Sequence, residues 1–92
     1  MLEIDIAEIE GVIKNLNQKI DDYEYHVSEL SSLSKKIESS TDWINKTVKP
    51  SFISYINSYI EIYKTIAKSL KTYTTYLQNK LDNFKENESK FS

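Results

Sequence analysis

The densest cluster of titratable side chains in the chain is Asp21-Asp22-Tyr23-Glu24-Tyr25-His26. Asp22 and His26 stand four residues apart, so on a helix they share one face and supply two of the ligands a metal ion takes. A first shell needs further ligands in a fixed geometry, and the chain has one His and no Cys. No metal centre is therefore expected, and His26 reads as a solvated residue on the rim of a helix seam. Ser and Thr are plentiful, yet a hydroxyl nucleophile needs a base and a group that orients the base. A lone His on a long helix does not furnish both. A loop that cradles phosphate needs several glycines, and Gly11 is the only one. The residue types predict neither an enzyme nor a cofactor, which leaves binding.

One spacing does place different chemistries side by side. In Phe84-Lys85-Glu86-Asn87-Glu88 an aromatic ring and a carboxylate are four residues apart, and on a helix they are presented together. Tyr25 and Glu29 have the same spacing but fall in the first half of the chain. Tyr73 and Tyr76 do not share it, since Leu77 and Lys80 stand at their fourth positions.

The elements that must carry these residues follow from length and composition. The chain has 92 residues, one Gly and one Pro. That is too few turn formers for a many-stranded sandwich or barrel, whereas two long helices need one turn. The lack of Cys excludes a disulfide framework. Charged residues make up 28% of the chain and nearly balance, at a net charge of −2. Every basic residue is Lys, so bidentate guanidinium contacts to phosphate or guanine are excluded. With a pI near 5.4, no nucleic-acid partner is expected. No apolar run approaches the roughly 18 residues of a membrane span. The opening MLEIDIAEIE is acidic and lacks the basic region of a secretory signal peptide. Any export is expected to use another route.

The first half reads as a helix over about 3–40. Leu2, Ile6, Ile9, Ile13, Leu16, Ile20, Tyr23, Val27, Leu30 and Ile37 step by four and three, a heptad seam with one gap at Ser34. Leu33 is expected to rotate in to fill that gap. Gly11 lies off the seam and weakens the helix by about 1 kcal/mol relative to Ala. The turn is placed at about 41–47, where Ser39, Ser40, Thr41 and Asp42 compete for backbone hydrogen bonds. Pro50 is confined to the first turn of a second helix. That helix is expected over about 48–86, with a frayed tail beyond it. At 1.5 Å per residue each helix spans about 60 Å.

In the second helix Phe52, Ile56, Tyr59, Tyr63, Ile66, Leu70, Tyr73, Leu77 and Phe84 step by three and four, apart from one seven-residue step to Phe84. Ile53, Ile60, Ala67 and Leu81 run beside them. This face is broader than one antiparallel neighbour covers. The fold expected is thus all-α: a two-helix hairpin, coiled-coil-like, that pairs with another hairpin into a four-helix bundle. Phe52, Ile53, Ile56, Tyr59, Ile60, Tyr63, Ile66 and Tyr73 are the residues expected to meet the partner.

Trp43, the only Trp, sits in the turn within Thr41-Asp42-Trp43-Ile44-Asn45. With two helices of similar length around it, the chain resembles the WXG family of small type VII (ESX-like) secretion proteins, whose helical hairpins pair into antiparallel four-helix bundles. Trp43 matches the family Trp. Asn45 stands where the family has Gly, and Asn both tolerates left-handed φ and caps helices. The family carries a C-terminal Tyr-x-x-x-Asp/Glu export signal, and Phe84 with Glu88 resembles the Phe variant found in partners of LXG-type toxins. The resemblance implies a secretion substrate or a toxin-targeting partner. It would bind another hairpin, such as the N-terminal helical domain of an LXG-type toxin, and the type VII secretion ATPase. It would be cytoplasmic before export and then secreted or at the cell surface. A cytosolic coiled-coil adaptor or assembly subunit without a secretion role is the second reading the seams allow.

Overall fold

The computed structural model describes residues 5–41 and 47–91, with side chains described as far as Glu88. Helix α1 spans Ile6–Ser39 and helix α2 spans Val48–Phe91, and the two pack against each other as an antiparallel hairpin. The molecule measures 71 × 17 × 14 Å, with a radius of gyration of 20.8 Å. A compact domain of this length would have a radius near 12 Å. The hairpin is a rod, one side chain thick between its helices.

Helix α1 begins three residues later than its hydrophobic pattern suggests, because Asp5 is its N-cap. The Asp5 carboxylate accepts from the backbone N–H of Glu8 at 3.1 Å, satisfying one of the donors that a helix start leaves free. Its end is held from the other helix. Lys49 Nζ donates to the carbonyls of Glu38 at 2.8 Å and Ser40 at 2.7 Å. A cation placed there complements the negative end of the α1 dipole. Pro50 is the third residue of α2, within the turn where a missing N–H does no harm. Helix α2 continues to Phe91, beyond the expected end near 86, since no Gly or Pro interrupts the stretch that follows.

The heptad seam of α1 faces α2 as its spacing predicts. Ile13, Ile20, Ser34 and Ile37 are buried, and Ile6, Ile9, Leu16, Tyr23, Val27 and Leu30 are half-buried. Ser34 keeps its place on the seam and its hydroxyl donates to Asn57 Oδ1 at 3.5 Å. Leu33 does not rotate in; it stays 43% exposed. A hydroxyl with a partner in the facing helix satisfies the site without twisting α1 out of register. The register is marked further along the rod by Tyr23 against Tyr63, ring centroids 5.7 Å apart, by the ion pair Lys71–Glu24, and by Lys85–Glu10 at 2.7 Å. These ion pairs are exposed and add little stability. The burial of Ile37, Ile56 and Ile60, flanked by Val27, Leu30 and Ile53, does most of the holding at the turn end.

Leu81, 2% exposed, anchors the other end. Leu81→Ala should lower the unfolding free energy by about 2–4 kcal/mol in a urea titration. Gly11→Ala should raise it by about 0.5–1 kcal/mol, because a Cβ there meets nothing within 4 Å and the helix gains propensity.

Candidate interaction face

Helix α2 carries two interleaved apolar seams, and the hairpin uses one of them. Toward α1 it turns Ile53, Ile56, Ile60, Tyr63, Ala67, Leu70, Thr74, Leu77, Leu81 and Phe84, an unbroken three-four alternation of buried or half-buried positions. Thr74 joins this seam by donating its hydroxyl to the Leu70 carbonyl at 2.7 Å, so no polar atom is stranded. The second seam faces outward. Val48, Phe52, Tyr55, Tyr59, Ile62, Tyr73 and Tyr76 are all exposed, and Ile66 is half-buried among them.

This arrangement divides the residues expected at a partner interface. Ile56 and Ile60 are buried in the hairpin core, and Ile53 and Tyr63 pack half-buried against α1. Ile56 and Ile60 are internal to the hairpin, whereas Ile53 and Tyr63 sit at the edge of its seam. Phe52, Tyr59 and Tyr73 do face outward, and Ile66 sits at the border. Tyr55, Ile62 and Tyr76 belong to the same outer stripe and had been missed. Their three-four spacing from Phe52, Tyr59 and Tyr73 was the signal that would have found them.

The outer stripe is continuous with an aromatic ladder that runs to the α1 side. The Tyr55 and Tyr59 hydroxyls lie 3.2 Å apart and their rings pack edge to face at 5.0 Å. Tyr59 then stands 6.4 Å from Tyr63, and Tyr63 is 5.7 Å from Tyr23 and 6.1 Å from His26. The hydrogen bond shared with Tyr55 raises the Tyr59 phenol above its ordinary pKa. Tilted aromatic pairs of this kind add to the rigidity of the face.

The titratable cluster on α1 does not close into a site. Asp21, Asp22, Glu24, Tyr25 and His26 are exposed. Among the described residues no three His, Cys, Asp or Glu side chains come together in a way that would hold a metal ion. No helix of the described residues is long and apolar enough to cross a membrane. An open groove lined by Glu38, Lys49, Pro50, Ile53 and Asn57 runs along the flank of α2.

Phe84 and Glu88 occupy different environments. Phe84 ends the inner seam, half-buried beside Ile9, Leu77 and Leu81, whereas Glu88 is exposed one turn on. Lys85 between them reaches Glu10, whose carboxylate raises the Lys85 pKa. By contrast the Tyr25 hydroxyl donates to the Glu29 carboxylate, which raises the Tyr25 pKa, and that pair stands exposed on α1. Trp43 and Asn45 lie outside the described residues.

The two members of the C-terminal pair should therefore respond differently to truncation. Phe84→Ala should lower hairpin stability by about 1–3 kcal/mol and speed amide exchange around Ile9. Glu88→Ala should leave the urea midpoint unchanged.

No family model matches the chain, and no solved structure matches it. It is similar to merozoite surface protein 1 of Plasmodium yoelii yoelii, 28% identical over 87 residues. That match covers 95% of this chain and 5% of the relative, so the chain spans about one twentieth of the protein it is similar to. A segment of that size and identity assigns no family.

Proposed function

We propose that this chain acts by binding another helical protein through the outer seam of α2, as a type VII (ESX-like) secretion substrate or toxin-targeting partner. The observation that carries the binding part is the exposed stripe from Phe52 to Tyr76, which repeats at heptad spacing and is left uncovered by α1. Soluble chains seldom leave so long an apolar face open unless something docks on it. The face is rich in Tyr, whose apolar body and polar tip suit an interface that is exposed before it forms.

The secretion part is supported by the hairpin architecture, by the resemblance carried by Trp43 and its neighbours, and by the Phe84–Glu88 spacing. In this reading Glu88 is the solvent-facing half of an export signal and Phe84 is its seam-anchored half. The secretion ATPase would read the C-terminal end of α2, and the toxin or partner hairpin would take the outer seam.

The export assay should use Glu88→Ala, because that change leaves the seam intact. In a host with a type VII secretion system, the variant should appear in the medium at least tenfold less than the parent chain while accumulating normally in the cell. Glu29→Ala is the comparison at the second aromatic–carboxylate pair. Export of Glu88→Ala at the parental level would remove the signal assigned to the end of α2.

A further inference from the structure

The chain has seven Tyr and no Cys. With no thiol to intercept an oxidant, one-electron oxidation of this surface falls on its aromatic rings. The phenols differ in what surrounds them. Tyr55 and Tyr59 stand four residues apart on α2 and so share a face. Their hydroxyls lie 3.2 Å apart, and their rings meet at 5.0 Å with 70° between the planes. Tyr55 is 61% exposed and Tyr59 40%, so a reagent in water reaches both. Ser51 and Ser58 beside them turn their hydroxyls inward, to the carbonyls of Thr47 and Ser54. The two phenols are left to each other.

We propose that Tyr55 and Tyr59 form a site of oxidative modification, where a peroxide-driven one-electron oxidant joins the two rings into a dityrosine within a single chain. The coupling joins the ring carbons next to the hydroxyl-bearing carbons. In the product the two oxygens flank the new carbon–carbon bond and face each other. The hydroxyls of Tyr55 and Tyr59 already face each other. The two hydroxyl groups also keep a biaryl from lying flat, and the tilt between these rings is on the twisted side. Proximity of this kind replaces an encounter between chains by a step within one chain.

The step balances as follows. Each phenol gives up one electron and its hydroxyl proton and becomes a neutral phenoxyl radical. The two unpaired electrons pair as the bond between the ortho carbons. Each of those carbons then loses its hydrogen as a proton, each oxygen takes up a proton, and both rings are aromatic phenols again. The net loss is two electrons and two protons, which reduce one hydrogen peroxide to two waters.

The competing partner of Tyr59 is Tyr63, which is also four residues away. Its ring stands 6.4 Å from Tyr59 at 35°, and it is half-buried against Tyr23 at 5.7 Å. Among the described residues only Tyr55 and Tyr59 bring two phenol hydroxyls into contact. Tyr76 instead lies beneath Lys80, whose Nζ is 5.6 Å from the ring centroid. The product is a covalent staple across one turn of α2. It restricts the unfolded chain and slows local opening of that turn. The site stands on residues other than Phe84 and Glu88, so the outcome of the export assay leaves it untouched.

The test treats the full chain, dilute and folded, with a haem peroxidase and hydrogen peroxide. Single chains should lose the mass of two hydrogen atoms and gain the blue fluorescence of a dityrosine. The tryptic peptide 47–64 should carry the loss. Its backbone fragment ions should be missing between Tyr55 and Tyr59 and present between Tyr59 and Tyr63. Tyr55→Phe should keep its helicity by circular dichroism, because Tyr55 lies outside the hairpin core, and should form the single-chain product about tenfold less. Tyr73→Phe should form it as the parent does. In urea the yield at Tyr55 and Tyr59 should fall severalfold, since the helix no longer holds the rings together. Covalent pairs of chains as the main product, a link between Tyr59 and Tyr63, an undiminished yield from Tyr55→Phe or an equal yield in urea would each overturn the proposal.

Discussion

A hairpin of two helices has one interhelical seam, and here everything else in the fold is arranged around that single layer of side chains. Burial supplies the free energy, at about 25 cal/mol per Å² of apolar surface. Among the described residues the buried hydrophobics are Ile13, Ile20, Ile37, Ile56, Ile60, Ala67 and Leu81, spread along a 71 Å rod. A layer so thin tolerates no slippage, since moving α2 by one residue would turn its other stripe toward α1. The polar members of the layer oppose that slip. Ser34 has its acceptor in Asn57 on the facing helix, and Lys49 ties the end of α1 to the start of α2. These groups add modest stability, but each is satisfied in the observed register.

The same constraint explains which parts of the fold were legible in the sequence. Helix α1 was legible because its apolar residues form one stripe, so the spacing of Ile6 to Ile37 identifies the buried face without ambiguity. Helix α2 was legible as a helix but not as a face. Two stripes, one position apart, both satisfy the heptad rule, and residue size favours the wrong one. Phe52, Tyr59 and Tyr73 look more like core than Ala67 and Thr74 do. Yet a close antiparallel pair needs small residues where the facing helix brings large ones. Ala67, 5% exposed, sits on that seam beside Val27 of α1. The unbroken alternation from Ile53 to Phe84 was available in the sequence; only the presence of Thr74 and Ala67 in it concealed the buried stripe.

The ends of the helices were partly hidden for a different reason. Asp5 with Glu8 has the spacing of a helix start, and hydrophobic periodicity extending to Leu2 overshadows it. Lys49 gives no local signal at all, since its acceptors at Glu38 and Ser40 belong to another helix. Phe84 illustrates the opposite case. Its four-residue spacing from Glu88 suggests a presented pair, and the seam draws the ring toward Ile9 instead. Spacing along one helix states which side chains share a face, and only the neighbouring helix determines whether that face is open.

The outer stripe carries a physical cost that bears on its interpretation. Ser and Thr with hydroxyls bonded to the carbonyl four residues back are mildly unfavourable in a helix interior, and α2 holds a column of four beside its exposed seam. A helix free of other demands would place Lys or Glu there, gaining propensity, solubility and ion pairs along its surface. Lys64, Lys68 and Lys71 show that α2 does carry such residues, on the flank toward α1 and on the back. Among the solvent-facing positions of α2 between Pro50 and Asn79, the arc that includes Tyr55, Ile62 and Tyr73 carries no charge. An arc that forgoes both charge and helix propensity, and exposes aromatic rings at coiled-coil spacing, shares its composition with the cores of protein–protein interfaces.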